Sequence, residues 1–149
     1  MPIVNSIIGK GTKIHQPDLV NIYECTIGEN CNIAAFVEIG KDVTIGYNVQ
    51  IQAFTFIPKG VKIGNNVFIG PNVTFTNDKY PPSHGRWWLE TIIKDGVKIG
   101  AGVLLITGIT IGEGAFIAAG AVVTKDVDAG ATVMGIPARV REIKTCNLD

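Results

Sequence analysis

The sequence predicts an all-β solenoid, a parallel β-helix of triangular section built from hexapeptide repeats, and three observations carry that prediction. Aliphatic residues recur at every sixth position. A second column, small or β-branched, runs two residues before each of them. The position just before each residue of that second column is mostly Gly, Asn or Asp. Repeats of fixed period mark solenoids, in which each unit buries its apolar face only against its neighbours.

Taken in order, the first column opens at Ile8, Ile14 and Val20. After a one-residue slip it runs through Ile27, Ile33, Ile39, Ile45, Ile51, Ile57, Ile63, Ile69 and Phe75. It returns at Ile99, Leu105, Ile111, Ile117 and Val123. The second column includes Cys31, Val37, Val43, Val49, Thr55, Val61, Val67, Val73, Val103, Ile109, Ala115, Ala121 and Val127. Residues two apart on a strand share a face, so both columns point inward. Asn30, Asp42, Asn48, Gly60, Asn66, Asn72, Gly102, Gly108, Gly114 and Gly120 occupy the corners. These residue types accept left-handed backbone angles and so allow a sharp turn. A short strand followed at once by a corner has no room to reverse into a hairpin. The strands therefore pair in parallel with those one coil later, and three hexads per coil stack residue n on n+18. Pro17, Tyr23, Phe36 and Phe54 break the corner rule. Phe36 and Phe54 are one coil apart and are expected to stack outside adjacent coils as an aromatic ladder at a subunit interface.

Composition supports this reading. The 149 residues carry 13 basic and 13 acidic side chains, a balance that favours neither nucleic acid nor a membrane surface as partner. High Gly with abundant Ile and Val argues against helices, and 46% hydrophobic residues argue against disorder. No leader peptide or apolar run of membrane-spanning length is seen. Cys25, Cys31 and Cys146 match no metal spacing and read as reduced thiols of a cytoplasmic protein.

The hexads vanish between about 76 and 98. That segment holds Pro81, Pro82, Gly85, both tryptophans and His84, one of only two histidines. Phe75 to Ile99 is a whole number of hexads, so a loop ejected at one corner leaves the ladder in phase. Long loops in compact domains concentrate function. The chain is thus read as one domain, 1–149, with an excursion at about 76–98 and a short tail at about 141–149.

The β-helix, roughly residues 5 to 140, resembles the hexapeptide-repeat acyltransferases, whose coils wind left-handed; the left hand is taken from that resemblance. IGEGAFIAAGAVVTKDV (Ile111 to Val127) and GIPARV (Gly135 to Val140) look like that family's C-terminal acetyl-CoA segment. The TND-x-YP motif (Thr76 to Pro81), with LVNIYECTIGENCNIAAFVEIG before it, is similar to N-acetyltransferases of nucleotide-linked 3-amino sugars. The resemblance implies acetyl-CoA as co-substrate without a metal, a homotrimer with clefts between prisms, and a UDP- or dTDP-linked amino sugar as acceptor for surface polysaccharide or glycan synthesis. Carried over by position, Ala101, Gly108, Ala119, Thr124, Lys125 and Arg139 are the CoA candidates. Backbone amides at the three small residues could meet pantetheine, and Lys125 and Arg139 could pair with phosphates. Asn77 matches the family's amine-orienting residue. Asp78 could bind the ammonium or accept its proton, or simply cap the loop. His84 could serve as a base, whereas His15 reads as structural. Glu24, Tyr80 and Arg86 are the acceptor candidates. Glu24 stands near a position where related sequences carry His, and Pro82 stands where they carry Arg, so that Arg86 would have to replace it.

Two other readings stay open: an O-acetyltransferase of sugars or small alcohols with His84 as general base, and a non-catalytic scaffold. A γ-class carbonic anhydrase needs three zinc-binding histidines and is excluded by two.

Overall fold

The computed structural model describes residues 2–142. The chain winds into three sheets of seven, six and eight strands, each two or three residues long and all parallel but for the last strand of the eight. The sheets form the faces of a prism, and successive strands step from face A to B to C and round again. Backbone bonds run from each coil to the next, as in Gly40 N–H to Ile57 O (2.8 Å) and Phe68 N–H to Val97 O (3.0 Å). Ile39 lies beside Ile57 and Ile51 beside Ile69, the expected step of eighteen. This is the parallel β-helix that the six-residue period predicts, and its hand is left, as in the resembling family. No helix is long and apolar enough to cross a membrane among the described residues.

The core is the interior of the prism. Ile33, Ile39, Ile57, Ile69, Ile99, Leu105 and Ile117 are wholly buried, with Val43, Val49, Val73, Val103, Ala115 and Ala121 between them. β-Branched side chains fill a pleated, twice-flanked site well. Cys25 and Cys31 are buried free thiols. Burial pushes the Cys25 thiol up, against the lowering effect of its bond to the Ser6 hydroxyl. Cys146 and the end of the expected tail lie outside the described residues.

Two details correct the sequence reading. Val20 belongs to the second inward column, and Ile22 takes the first. Ile3 faces Ile22 and Ile14 faces Ile33, nineteen apart, whereas Ile22 faces Ile39, seventeen apart. The cause is a 3₁₀ turn, Pro17–Leu19, which lengthens one corner; the next corner is correspondingly short. The corner residue there is Glu24 (φ 50°), not Tyr23, which lies within the strand Asn21–Tyr23.

The excursion is also shorter than expected. Thr91–Ile93 is a strand of face B, and Ile93 is buried. Ile63 lies beside Ile93, thirty positions on, where Ile45 lies beside Ile63 at eighteen, so the insertion is twelve residues, two hexads. TIIKDGVK looked irregular because the ladder resumes there without a further repeat before it to set the phase.

The edges differ in character. The second edge, between faces B and C, carries Asn30, Asn48 and Asn66, all at positive φ, and the Asn48 amide donates to the Asn66 side-chain oxygen at 2.7 Å. The third, between C and A, carries Phe36 (φ 60°), Phe54 (φ 64°) and Asn72 (φ 56°). Phe36 and Phe54 stack at 4.9 Å with 13° between planes, as their spacing predicts, and both rings are exposed.

Candidate active site

The first edge, between faces A and B, carries Asn5, Glu24, Asp42 and Gly60 at its corners, then the excursion, then Gly108. The excursion leaves after Thr74–Phe75 and returns into Thr91–Ile93. Threonines fix both limbs. The Thr107 N–H donates to the Thr76 hydroxyl at 2.9 Å, the Thr107 hydroxyl to Leu89 O at 2.6 Å, and the Gly108 N–H to the Thr91 hydroxyl at 3.2 Å. Leu89 lies over the corner below it: a Cβ on Gly108 would stand 2.8 Å from Leu89 Cδ1, and the φ of +86° there already favours glycine. Glu90 on the returning limb pairs with Lys62 at 3.3 Å.

Within the loop the Asp78 carboxylate accepts the Ser83 N–H (2.8 Å) and the Tyr80 N–H (3.3 Å), while the Ser83 hydroxyl oxygen accepts the Trp87 N–H (3.0 Å). The Lys79 N–H donates to Trp87 O at 3.0 Å, and Asp78 and Trp88 form an antiparallel bridge. The segment is therefore a small, internally bonded hairpin. Desolvation would raise the Asp78 carboxyl, but bonds from Ser83, Tyr80 and Trp88 together hold it below the usual aspartate value. Asp78 is thus bonded within the loop, and taking up a proton would cost it those bonds. No hydrogen bond engages the Asn77 side chain among the described residues, and Asn77 is half-buried beside the loop base. His84 is exposed at the loop tip with φ 54°. Tyr80, His84 and Arg86 line one cleft together with Trp87.

The remaining candidates fall in separate places. Glu24 shares the first edge but stands three coils from the loop, roughly 14 Å at about 4.8 Å per coil, and pairs with Lys41 at 3.2 Å. Thr124 and Lys125 sit at the first-edge corner near the C-terminal end, where Lys125 and Arg139 line one pocket. Arg139 belongs to the strand Arg139–Val140, which runs antiparallel to Thr132–Met134. Ala101 and Ala119 lie on the third edge, across face A. No backbone acceptor takes their N–H groups among the described residues, whereas the Gly108 N–H is committed to Thr91. Gly108 therefore offers a side-chain-free surface but not the amide expected of it. His15 lies on face C, where its Nε2 and the Asn32 side-chain oxygen are 3.1 Å apart.

Thr76, Leu89, Thr91 and Thr107 form the seat of the loop, and the sequence reading passed over them. One signal was available. Thr107 stands two residues after an inward position on the first edge, where the neighbouring coils carry Lys41, Lys59 and Lys125. A short hydroxyl in a column of exposed lysines marks a place where something covers the edge.

Comparison with known proteins agrees with this architecture. The profile of the bacterial transferase hexapeptide (six repeats) matches residues 24–58, 42–77 and 90–125, together more than half of the chain. A 2,3,4,5-tetrahydropyridine-2,6-dicarboxylate N-acetyltransferase of Staphylococcus aureus strain JH9 is 50% identical over 60 residues, 40% of this chain and 23% of that protein. The chain thus spans about a quarter of the length of the curated relatives it matches. Among solved structures, an AntD variant, an N-acyltransferase from Bacillus cereus with dTDP-4-amino-4,6-dideoxyglucose and coenzyme A bound, superposes with a TM-score of 0.73. It shows 24% identity over 95% of this chain and 85% of that one. PerB from Caulobacter crescentus, with CoA and GDP-perosamine, gives a TM-score of 0.71 and 20% identity over 92% of this chain and 58% of that one. WeeI from Acinetobacter baumannii gives 0.67 and 26%, over 92% and 55%. Stacked hexads, glycine and asparagine corners and the profile match over most of the coils make this chain a member of the bacterial hexapeptide transferase family.

Proposed function

We propose that the protein transfers an acetyl group from acetyl-CoA to the amine of a nucleotide-linked amino sugar. The observation that carries this reading is the loop seat: Thr107 bonds Leu89, which lies against Gly108, and so ties the base of the loop that bears Asn77 and the aromatic hairpin to the edge that also carries Lys125. The AntD and PerB structures with coenzyme A and nucleotide-linked sugars bound, on the same fold, support it.

In the reaction the neutral amine attacks the thioester carbonyl carbon, forming the C–N bond. The C–S bond breaks, the coenzyme leaves as a thiolate, and the proton lost from nitrogen neutralises it. An amine that is partly neutral near pH 7 needs positioning more than a strong base. This suits a site in which Asp78, the carboxylate next to Asn77 in the chain, is engaged by the loop. Asn77 is the group we assign to orient the amine.

Apart from Arg139, the CoA candidates lie on both edges that flank face A, whose outer side carries Phe56, Leu104, Ile106 and Val122 toward the C-terminal coils and Asn21 and Glu38 toward the first. Two copies packed through this face would set the first edge of one prism near the third edge of the next. Pantetheine would then lie between Gly108 of one copy and Ala101 and Ala119 of its neighbour, with Lys125 and Arg139 toward its phosphates. Head-to-tail contacts of this kind close into a ring, and we assign a cytoplasmic homotrimer. A nucleotide-linked sugar is an activated glycosyl donor, so the product would supply a glycosyltransferase in surface-glycan assembly.

The test is acetyl-CoA turnover against UDP-, dTDP- and GDP-linked 3-amino and 4-amino sugars. Turnover of one of them, with Asn77→Ala lowering kcat at least about tenfold, is expected. His84→Ala should cost little. A loss of about 10²–10⁴ in kcat for His84→Ala, the worth of a general base, with transfer to a hydroxyl, would replace this reading by O-acetylation. Absence of CoA binding by calorimetry would leave only a scaffold.

A further inference from the structure

On face A, the residue that follows each inward one stands next to the first edge, and these residues form a column of their own: Tyr23, Gly40, Pro58, Thr76, Ile106 and Thr124. Tyr23 is the one large side chain at its N-terminal end, and it lies lengthwise over the next coil. A Cβ on Gly40 would stand 3.2 Å from the Tyr23 hydroxyl oxygen and 3.2 Å from Lys59 N. Gly40 is buried under this cover although its column faces outward. The bare backbone at 40 therefore lets the tyrosine lie flat along the edge and carries its hydroxyl toward the loop. From Gly40 to Thr76 is two coils, roughly 10 Å at about 4.8 Å per coil, a gap that one sugar ring with its substituents spans. No protein group bonds the Tyr23 hydroxyl among the described residues, and it is not closed off from solvent. Its charged neighbours are engaged with one another, Lys41 with Glu24 at 3.2 Å and Lys59 with Asp42 at 3.7 Å. What this place offers a ligand is thus a neutral group that both donates and accepts.

We propose that Tyr23 is a specificity-determining residue whose hydroxyl bonds a ring hydroxyl of the acceptor sugar. This rests on the amino-sugar reading and adds which feature of the sugar is read. The coenzyme candidates of this edge, Gly108 and Lys125, lie beyond the loop base toward the C-terminal coils. An acceptor whose amine meets Asn77 therefore occupies the coils before the loop, where Tyr23 stands. A placed hydroxyl discriminates against a deoxy compound because it is left without its partner when the substrate group is missing.

The experiment uses the full chain with acetyl-CoA and compares wild type, Tyr23→Phe and Gly40→Ala. The acceptors are UDP-, dTDP- and GDP-linked 3-amino and 4-amino sugars, each beside its deoxy counterparts with one ring hydroxyl removed at a time. The wild type should prefer an acceptor over one of its deoxy counterparts in kcat/KM. Tyr23→Phe keeps the ring over Gly40 and should shrink that preference about two- to tenfold, the worth of one neutral hydrogen bond, while the deoxy compound is used as before. Gly40→Ala, which crowds the hydroxyl out of place, should act in the same direction. CoA affinity, measured alongside, should be equal in all three, which shows that the variants fold. A loss in Tyr23→Phe that is equal for an acceptor and all its deoxy counterparts would make the residue a packing group and overturn the proposal. Turnover of an amine with every preference untouched by Tyr23→Phe would remove the contact and leave the activity standing. If no amine is acetylated, the same compounds are titrated by calorimetry. A hydroxyl-dependent affinity that Tyr23→Phe erases would then keep the contact and remove the activity, and its absence would remove both.

Discussion

At the scale of single residues, the seat of the loop depends on one buried hydroxyl. Thr107 donates to Leu89 O at 2.6 Å and is 2% exposed, so Thr107→Val keeps the shape and leaves a covered carbonyl without a donor. An unmet buried acceptor costs about 1–3 kcal/mol. Most of this should fall on the loop, seen as faster proteolysis within 77–90 with only a small change in Tm. Asp78 gives a pH signature. Its folded carboxyl lies below the ordinary value, so its bonds are fully present above about pH 4 and are lost as pH falls through the depressed value. Tryptophan fluorescence should report the loop loosening in that acid range. Asp78→Asn should remove the acid-dependent step, and an identical step in the variant would show that another group is responsible.

At the scale of elements, the third edge is informative. Phe36 and Phe54 hold left-handed backbone angles that cost a branched or bulky residue about 1–2 kcal/mol, while their stacking returns about 0.5–1.5 kcal/mol. A single prism has little reason to keep them, and Asn72 occupies the next corner at nearly the same φ. Replacing both by Asn should therefore leave the circular-dichroism spectrum and Tm of the coils nearly unchanged. In the trimer we propose it should lower the mass seen by sedimentation, and an unchanged mass would place the interface elsewhere. The excursion provides a second case. Deleting 77–88 restores the eighteen-residue step between Ile63 and Ile93, so the coils should fold while the acetyl transfer we propose is lost. Failure to fold would mean that the hairpin supports the prism. The coils were legible in the sequence because each inward residue repeats the same physical demand. The hairpin was not, because its bonds are local and unique, and nothing in TNDKYPPSHGRWW states that Ser83 closes on Asp78. The seat was hidden for a related reason. Leu89 and Thr107 meet only when a loop folds back across a corner, a contact to which the six-residue period is blind.

At the scale of the whole molecule, each coil rests on its two neighbours alone. Ile69→Ala in a middle coil removes a fully buried side chain and should cost about 2–5 kcal/mol, read as a lower denaturation midpoint. The same change in the first coil, at the half-buried Ile14, should cost distinctly less, and equal costs would contradict nearest-neighbour stability. The faces follow the same logic. Inward positions are nearly uniform, whereas outward positions vary along each face, from Asn21 and Glu38 to Phe56 and Val122 on A and from Ile7 to Thr26, Thr44 and Lys62 on B. Where the chain meets other molecules is therefore written in the outward residues and in the one loop.

Because the hairpin consumes a whole number of repeats, the strands downstream of it keep their phase whatever peptide stands there. In the activity we propose, specificity for the acceptor thus becomes a removable cassette. A segment of the same length from a relative, closed onto Thr76 and Thr91, is expected to alter which acceptor is chosen without asking the rest of the polypeptide to change.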